Sequence, residues 1–281
     1  LYDINRPDKK VIIPQFITFN DSEFPISRVC SESFKSAANL ESIEFAPDSK
    51  VFKINESAFL FSSISTLSLP ASLIELEKRW CNNTPNLNHI TISPDNPRYK
   101  VYDNKFIIGK SSIEKVDYDI LLFAVRNIEI ATIPSSIEII ETDSFNSCKK
   151  LQKVEFSDDS KLRAIESYTF TNSTVKTISF PSTSFDLLNS WSIDSPELTE
   201  IVINEKNQRY KFYDNQYMIE KVDQKSDTFD CLVFASRNIE IAKIPDFVVV
   251  IKKSAFNGCL KLKRVETSRD SKLQTIEQNA F

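Results

Sequence analysis

Few of the residue types that perform chemistry in proteins are present in this chain. Its 281 residues include one histidine, His89, five cysteines and two glycines. A single histidine excludes relays that need two imidazoles and disfavours most histidine-built metal sites. Two isolated glycines cannot form a phosphate-binding loop, which needs several positions without a Cβ beside the phosphate. The composition therefore predicts no enzyme, no cofactor and no metal site.

Charge and hydropathy exclude two further classes of partner. The chain has 35 basic and 39 acidic residues, for a net charge of −4, which gives no reason to expect nucleic acid. No apolar run reaches the roughly 18 residues that a membrane span needs, so no membrane contact is expected from this chain. It begins without Met and stops in mid-pattern, which we interpret as a fragment of a longer protein.

The chain repeats itself at an offset of 111 residues. The segment 96–104 recurs at 207–215, and the segment 123–131 recurs at 234–242. A fixed long period is the sequence signature of repeat architectures.

A shorter unit lies inside the long one. The pattern apolar-x-x-apolar-x-apolar, typical of a short strand, begins at Leu40, Ile64 and Leu87, at spacings of 24 and 23 residues. In the second half of each unit an apolar residue precedes an aromatic one by five positions, as in Ile54 and Phe59. The polar residues before the aromatic favour a single capped turn of 3₁₀- or α-helix.

A unit of about 23 residues cannot bury its own apolar face, whereas stacked units can. The pattern therefore predicts one right-handed solenoid of about ten turns over residues 1–281. Its parallel sheet lies on the concave side, and short 3₁₀ or α turns and strands lie on the convex side. Two inserted hairpin segments are expected near 95–122 and 206–233.

Two stretches resemble the BspA-like leucine-rich repeats. A strand leads through Ile133-Pro134 to Phe145 and Cys148, and an equivalent stretch leads through Ile244-Pro245 to Phe256 and Cys259. The family's usual glycine is replaced in both, by Glu141 and Lys252. The resemblance implies a leucine-rich repeat solenoid. It also implies a surface antigen at the cell surface or in the extracellular space, which attaches to a host-surface or matrix protein.

The inserted segments contain the residue types that interfaces favour, Tyr and Arg. Two interpretations remain open: these side chains contact a partner, or they pack the hairpins onto the coil. The candidate residues are Arg98, Tyr99, Tyr102, Arg126, Arg209, Tyr210, Tyr213 and Arg237.

The outward positions of the predicted concave sheet form a second candidate surface. They are mixed in charge and free of aromatic residues, so a simply solvated sheet is the alternative interpretation. The candidates are His89, Thr91, Glu129, Lys153, Lys176, Glu200 and Lys243.

Three functions are compatible with this pattern. The first is a surface adhesin or recognition module, the second is an intracellular leucine-rich scaffold for other proteins, and the third is a coat protein that associates edge to edge.

Cys148 and Cys259 occupy equivalent turns that lie too far apart for a disulfide, and we predict that they are buried core thiols.

Overall fold

The computed structural model describes residues 8–221, 223 and 225–281. The chain forms two compact units. Unit 1 contains Leu1–Ile128 and Glu141–Lys149, and unit 2 contains Glu129–Ile140 and Lys150–Phe281.

Short strands make up unit 1. They are β1 (Lys10–Ile13), β2 (Phe16–Phe19), β3 (Ser22–Pro25), β4 (Arg28–Val29), β5 (Ser42–Phe45), β6 (Lys53–Ile54), β7 (Thr66–Leu69), β8 (Glu75–Leu76), β9 (His89–Ile92), β10 (Tyr99–Tyr102), β11 (Phe106–Gly109) and β12 (Ile120–Ala124).

Unit 2 continues the same pattern. Its strands are β13 (Ile130–Ile133), β14 (Ile139–Ile140), β15 (Lys153–Phe156), β16 (Ala164–Ile165), β17 (Thr177–Phe180), β18 (Asp186–Leu187), β19 (Glu200–Ile203), β20 (Tyr210–Tyr213), β21 (Tyr217–Glu220), β22 (Cys231–Ala235), β23 (Ile241–Lys243), β24 (Val250–Ile251), β25 (Arg264–Glu266) and β26 (Thr275–Ile276).

Both units are parallel-strand β-solenoids, as the repeat pattern predicts. In unit 1 the first strands of successive coils pair in the order β1-β5-β7-β9, and the second strands pair as β4-β6-β8. Unit 2 has the matching orders β13-β15-β17-β19 and β14-β16-β18. The register places Ile43 beside Leu67 and Leu67 beside Ile90, so the inward apolar positions stack from coil to coil. This stacking gives each short unit the interior that it lacks alone.

The turn that carries the aromatic residue is not helical, contrary to the prediction of short 3₁₀ or α turns. None of the described residues lies in a helix. Ser57 and Phe61, four residues apart, have φ of 60° and 58°. A left-handed residue interrupts a right-handed helix. Alternate amides of the turn therefore donate to the next coil, as Phe59 N does to Trp80 O at 3.0 Å.

Each predicted insertion forms three consecutive antiparallel strands, and those of unit 2 continue into the parallel strands β24 and β26 of the same sheet. Strand β11 pairs with β10 and β12 in unit 1, and β21 pairs with β20 and β22 in unit 2. Asp103-Asn104 and Asp214-Asn215 close the first hairpin of each sheet, and all four residues have φ of 51–52°. Two consecutive positive φ values define the turn whose twist suits a two-residue hairpin.

Aromatic rings fill the coils along each unit. In unit 1 the rings of Phe59 and Trp80 lie 5.9 Å apart, and Trp80 lies 5.7 Å from Phe123. In unit 2 Trp191 lies 6.0 Å from Phe170 and 5.7 Å from the ring of Phe234. The aromatic positions of the repeat are therefore core positions, and their packing supports the coils from which the hairpins project.

Candidate binding surfaces

One asparagine fastens the start of each inserted hairpin to the preceding coil. The carboxamide of Asn96 donates to Leu73 O at 2.8 Å and accepts from Arg98 N at 3.0 Å and Tyr99 N at 2.8 Å. Asn207 makes the equivalent contacts in unit 2. Buried backbone groups need partners, and here one side chain supplies both a donor and an acceptor.

Tyr99 and Arg98 hold the first hairpin onto unit 1. Tyr99 is 2% exposed, and its hydroxyl accepts from Leu76 N at 3.1 Å and donates to Ile74 O at 3.2 Å. The guanidinium of Arg98 donates to Ile74 O at 2.7 Å and to Lys110 O at 3.2 Å. Burial raises the pKa of Tyr99. These contacts favour a packing role over contact with a partner.

The second hairpin has an equivalent buried tyrosine, but the arginine beside it contacts different groups. Tyr210 is buried, and its hydroxyl accepts from Leu187 N at 3.2 Å. Arg209 forms an ion pair with Asp186 and lies 3.7 Å from Glu220. Burial raises the pKa of the Glu220 carboxyl above its usual range, although the positive charge of Arg209 opposes that shift.

Arg126 lies inside unit 1, although the sequence places it at the surface as a candidate contact residue. It is 2% exposed. Its guanidinium donates to Ser144 O at 3.1 Å and lies 3.7 Å from Cys81 Sγ and 3.8 Å from Cys148 Sγ. The ring of Phe123 lies 4.2 Å away. Burial raises the pKa of Cys148, so that thiol stays neutral.

Arg237 has the corresponding place in unit 2. It donates to Ala255 O at 2.9 Å and to Ser192 Oγ at 3.1 Å, and it lies 3.7 Å from Cys259 Sγ. Burial lowers the pKa of its guanidinium. Neither Arg237 nor Arg126 forms a salt bridge with any residue that the structure describes. Both guanidinium groups are thus surrounded by carbonyls, sulfur atoms and ring faces, and neither offers surface to a partner.

Two of the eight insertion candidates remain well exposed. Tyr102 and Tyr213 are each 42% exposed, at the ends of β10 and β20. The ring of Tyr213 meets Phe247 edge to face at 5.1 Å. These tyrosines lie next to the hairpin turns, so the insertions present them on an anchored support.

The candidate residues of the strand face are accessible. Six are exposed and one is half-buried. The exposed residues are His89, Thr91, Glu129, Lys176, Glu200 and Lys243, and the half-buried one is Lys153.

Several polar side chains of the strand face form ion pairs or hydrogen bonds with one another. Lys153 pairs with Glu155, Thr177 donates to Glu200 at 2.9 Å, and Thr91 donates to a neighbouring serine at 2.9 Å. Accessible pairs of this kind, within one strand or across strands, contribute little stability. They also reduce the charge available to a partner, which supports the interpretation of a solvated sheet.

A small cavity lies beneath the hairpin in each unit. The cavity of unit 1 measures about 260 Å³ and is lined by Trp80, Arg98 and Asp143, among others. Its counterpart in unit 2 measures about 170 Å³ and is lined by Trp191 and Arg209, among others. Pockets that enclose drug-sized ligands measure roughly 300–1,000 Å³. The outer surface is therefore a better candidate for recognition than these cavities.

Within the part of the chain that the structure describes, three or more His, Cys, Asp or Glu side chains never cluster as a metal site would require. None of the described segments forms a helix that is long and apolar enough to span a membrane.

Stacked short coils with a strand and an aromatic turn define the class of leucine-rich repeat solenoids. The family model described as "BspA type Leucine rich repeat region" matches residues 13–115, 121–229 and 227–281, in six copies. The chain belongs to this family. The family is a repeat scaffold rather than an enzyme family, and leucine-rich repeat proteins generally mediate protein–protein interactions.

Solved structures support the fold. A leucine-rich cell surface protein from Faecalibacterium prausnitzii is similar at a TM-score of 0.54 with 18% identity, over 94% of this chain and 63% of that one. A leucine-rich repeat protein from Eubacterium ventriosum gives a TM-score of 0.55 with 14% identity, over 92% of this chain and 74% of that one. No curated protein sequence matches the chain.

Proposed function

We propose that the chain is a cell-surface recognition module that attaches to a host-surface or extracellular-matrix protein. This proposal depends mainly on the repeated hairpin. In unit 1 the hairpin is anchored by Asn96 and Tyr99 and presents the exposed Tyr102. Unit 2 repeats this arrangement with Tyr213. A rigid support lowers the entropy cost of binding, and tyrosine is among the residues that dominate interface energies.

Two further observations support this function. Membership of the BspA-type family favours a binding role over catalysis, and the cell-surface description of one structural neighbour favours a surface location. An intracellular scaffold remains the alternative, and labelling of intact against permeabilised cells separates the two.

Attachment can be tested with Tyr102→Ala combined with Tyr213→Ala. Binding of the purified protein to immobilised matrix proteins and to fixed host cells is measured by surface plasmon resonance and flow cytometry. We expect the double variant to bind at least about 10-fold more weakly, because tyrosine hot spots contribute roughly 2 kcal/mol.

Lys176→Ala on the strand face is the matched control and is expected to bind as the unmodified protein does. A double variant that attaches normally, together with weakened Lys176→Ala, would transfer the function to the strand face.

A further inference from the structure

The β2–β3 hairpin of unit 1 exposes apolar side chains on both strands. Phe16, Ile17, Phe19 and Phe24 are 38%, 53%, 66% and 48% exposed. A two-stranded hairpin is marginally stable in water unless a hydrophobic face packs against something else. The register Ile17↔Phe24 and Phe19↔Ser22 places Ile17, Phe19 and Phe24 on one face of the hairpin. A contiguous exposed apolar patch marks an interaction surface. We therefore expect another protein surface to cover the apolar side chains of this hairpin.

The charge of the hairpin restricts that partner. Asp21 lies in its turn and Glu23 lies in β3, and both are exposed. Neither forms a salt bridge with the residues that the structure describes. Residues 15–26 contain no Lys or Arg. We call residues 16–25 the acidic hairpin, and its most exposed aromatic residue is Phe19.

Unit 2 contains a surface with the opposite character. An open slot of about 430 Å³ is lined mainly by Ile219, Phe229, Phe247, Val249, Lys211 and Lys272. A dry cavity of about 150 Å³ accommodates benzene, so the slot has room for one phenyl ring. We call it the basic slot.

Lysines surround the aromatic side of the basic slot. The Nζ atoms of Lys211 and Lys221 lie 4.3 Å and 5.2 Å from the centroid of the Phe229 ring. Together with Lys272 they form no salt bridge with any described residue, whereas Lys263 pairs with a glutamate at 2.9 Å. Asp230 contributes a single carboxylate to the lining. The slot is therefore apolar inside and positively charged around its mouth.

We propose that the acidic hairpin of one molecule docks into the basic slot of another molecule of the same chain. Phe19 enters between Phe229 and Phe247. Asp21 lies in the adjacent turn and Glu23 lies on the opposite face of the hairpin, so their carboxylates flank the entering ring and face the lysines at the slot mouth. Apolar and charge complementarity between these two exposed surfaces supports this pairing. Because the two surfaces are different, the contact is heterologous, and contacts of this kind build closed rings or open chains.

The expected affinity follows from the size of the contact. One hairpin in one slot belongs to the small, transient class of interfaces, for which a Kd on the order of 10–100 µM is reasonable. Attachment to a host protein is not required for this association. Failure of either proposal therefore leaves the other standing.

Sedimentation velocity over a concentration series tests the association. We expect the protein to form concentration-dependent dimers and longer species, and to dissociate as NaCl is raised, because salt screens lysine–carboxylate attraction. Phe19→Ser removes the entering ring, and Phe247→Ser with Val249→Glu removes the slot. Ser136 and Glu138 already occupy the equivalent positions 111 residues earlier, so the repeat tolerates these residue types.

The two variants provide a complementation test. Each is expected to be monomeric alone, while an equimolar mixture forms a 1:1 dimer that grows no further, because one intact hairpin meets one intact slot. Val202→Ser, which removes an apolar side chain that is 45% exposed outside the slot, is expected to associate normally. A monomeric parent protein, a Phe19 or Phe247/Val249 variant that associates as the parent does, or a mixture of these two variants that stays monomeric each overturns the proposal.

Charge reversal keeps the proposal testable if the slot variant fails to fold by circular dichroism. Glu23→Lys or Lys272→Glu alone is expected to weaken association at least about 5-fold, and mixing the two is expected to restore dimers. Unchanged association in the single variants, or no restoration in the mixture, contradicts the docking.

Discussion

The two inserted hairpins rest on the same backbone arrangement but place their arginines among different partners. In unit 1 Arg98 donates to the backbone carbonyls of Ile74 and Lys110. In unit 2 Arg209 pairs with the carboxylates of Asp186 and Glu220. What recurs in both is the asparagine and the buried tyrosine that satisfy backbone groups. The comparison shows that the repeat retains the groups that hold the chain together, while the charged groups near the surface differ.

The two buried arginines also keep equivalent positions while their neighbouring groups differ. Arg126 reaches two thiols, Cys81 and Cys148, whereas Arg237 reaches one hydroxyl and one thiol, those of Ser192 and Cys259. A hydroxyl is a better acceptor than a thiol. The guanidinium of unit 2 is therefore the better satisfied of the two.

Replacement of either buried arginine by Met is expected to give the largest effect. Met fills much of the volume but leaves carbonyls unpaired in the core, at about 1–3 kcal/mol each. We expect Arg237→Met to lower the free energy of unfolding of unit 2 by about 3 kcal/mol, and Arg126→Met to lower that of unit 1 by about 2 kcal/mol. The difference arises because Arg237 satisfies more acceptors.

Fluorescence can separate the two units in this experiment. The chain has two tryptophans, Trp80 in unit 1 and Trp191 in unit 2. Urea unfolding in a Trp80→Phe background then reports unit 2, and unfolding in a Trp191→Phe background reports unit 1. Each unmutated background serves as its own reference. Equal losses in the two units, or a larger loss in unit 1, would contradict the ranking.

The periodic core was predictable from sequence because burial imposes it. Residues such as Phe59 and Phe170 recur 111 positions apart, and both are fully buried. The turn conformation was not predictable in the same way. Ser and Asn suit both a helix cap and a left-handed residue, and Phe61 and Tyr168 adopt positive φ without any preference for it.

The candidate site was harder to predict because long polar side chains can face either way. Arg126 and Arg237 recur within an almost identical segment beside an apolar strand, and that recurrence was the available signal for burial. The β2–β3 hairpin also had a signal, since Asn20-Asp21 stands between alternating apolar residues.

The stability of the two hairpin regions is expected to depend on pH with opposite signs. Burial raises the pKa of Glu220 above its value in the unfolded chain. The folded state then binds the proton more tightly, so unit 2 loses stability as pH rises from about 4 through the raised pKa. In unit 1, burial alone would raise the pKa of Asp119, but hydrogen bonds from Lys115 and Ser111 outweigh it and lower the pKa. This contribution to unit 1 is lost as pH falls below about 4.

Glu220→Gln and Asp119→Asn test these opposite signs. Urea unfolding across pH 3–8 in the two tryptophan backgrounds is expected to show a flatter profile for unit 2 above pH 4 in the first variant. The second variant is expected to flatten the profile of unit 1 below pH 4. A Glu220→Gln profile as steep as that of its parent would show that another group determines the pH dependence of unit 2.

The smallest expected effect comes from making the two buried arginine sites alike. Cys81→Ser places a hydroxyl where unit 2 has Ser192, which accepts from Arg237 at 3.1 Å. Shape is nearly conserved and the new hydroxyl gains a charged donor in Arg126, so the stability of unit 1 should change by no more than about 0.5 kcal/mol. The reciprocal Ser192→Cys is expected to cost unit 2 about 1 kcal/mol, because its arginine exchanges a good acceptor for a weak one. If Cys81→Ser instead costs more than about 1.5 kcal/mol while Ser192→Cys is neutral, the thiol itself is the preferred neighbour. The ranking of the two arginine sites would then be reversed.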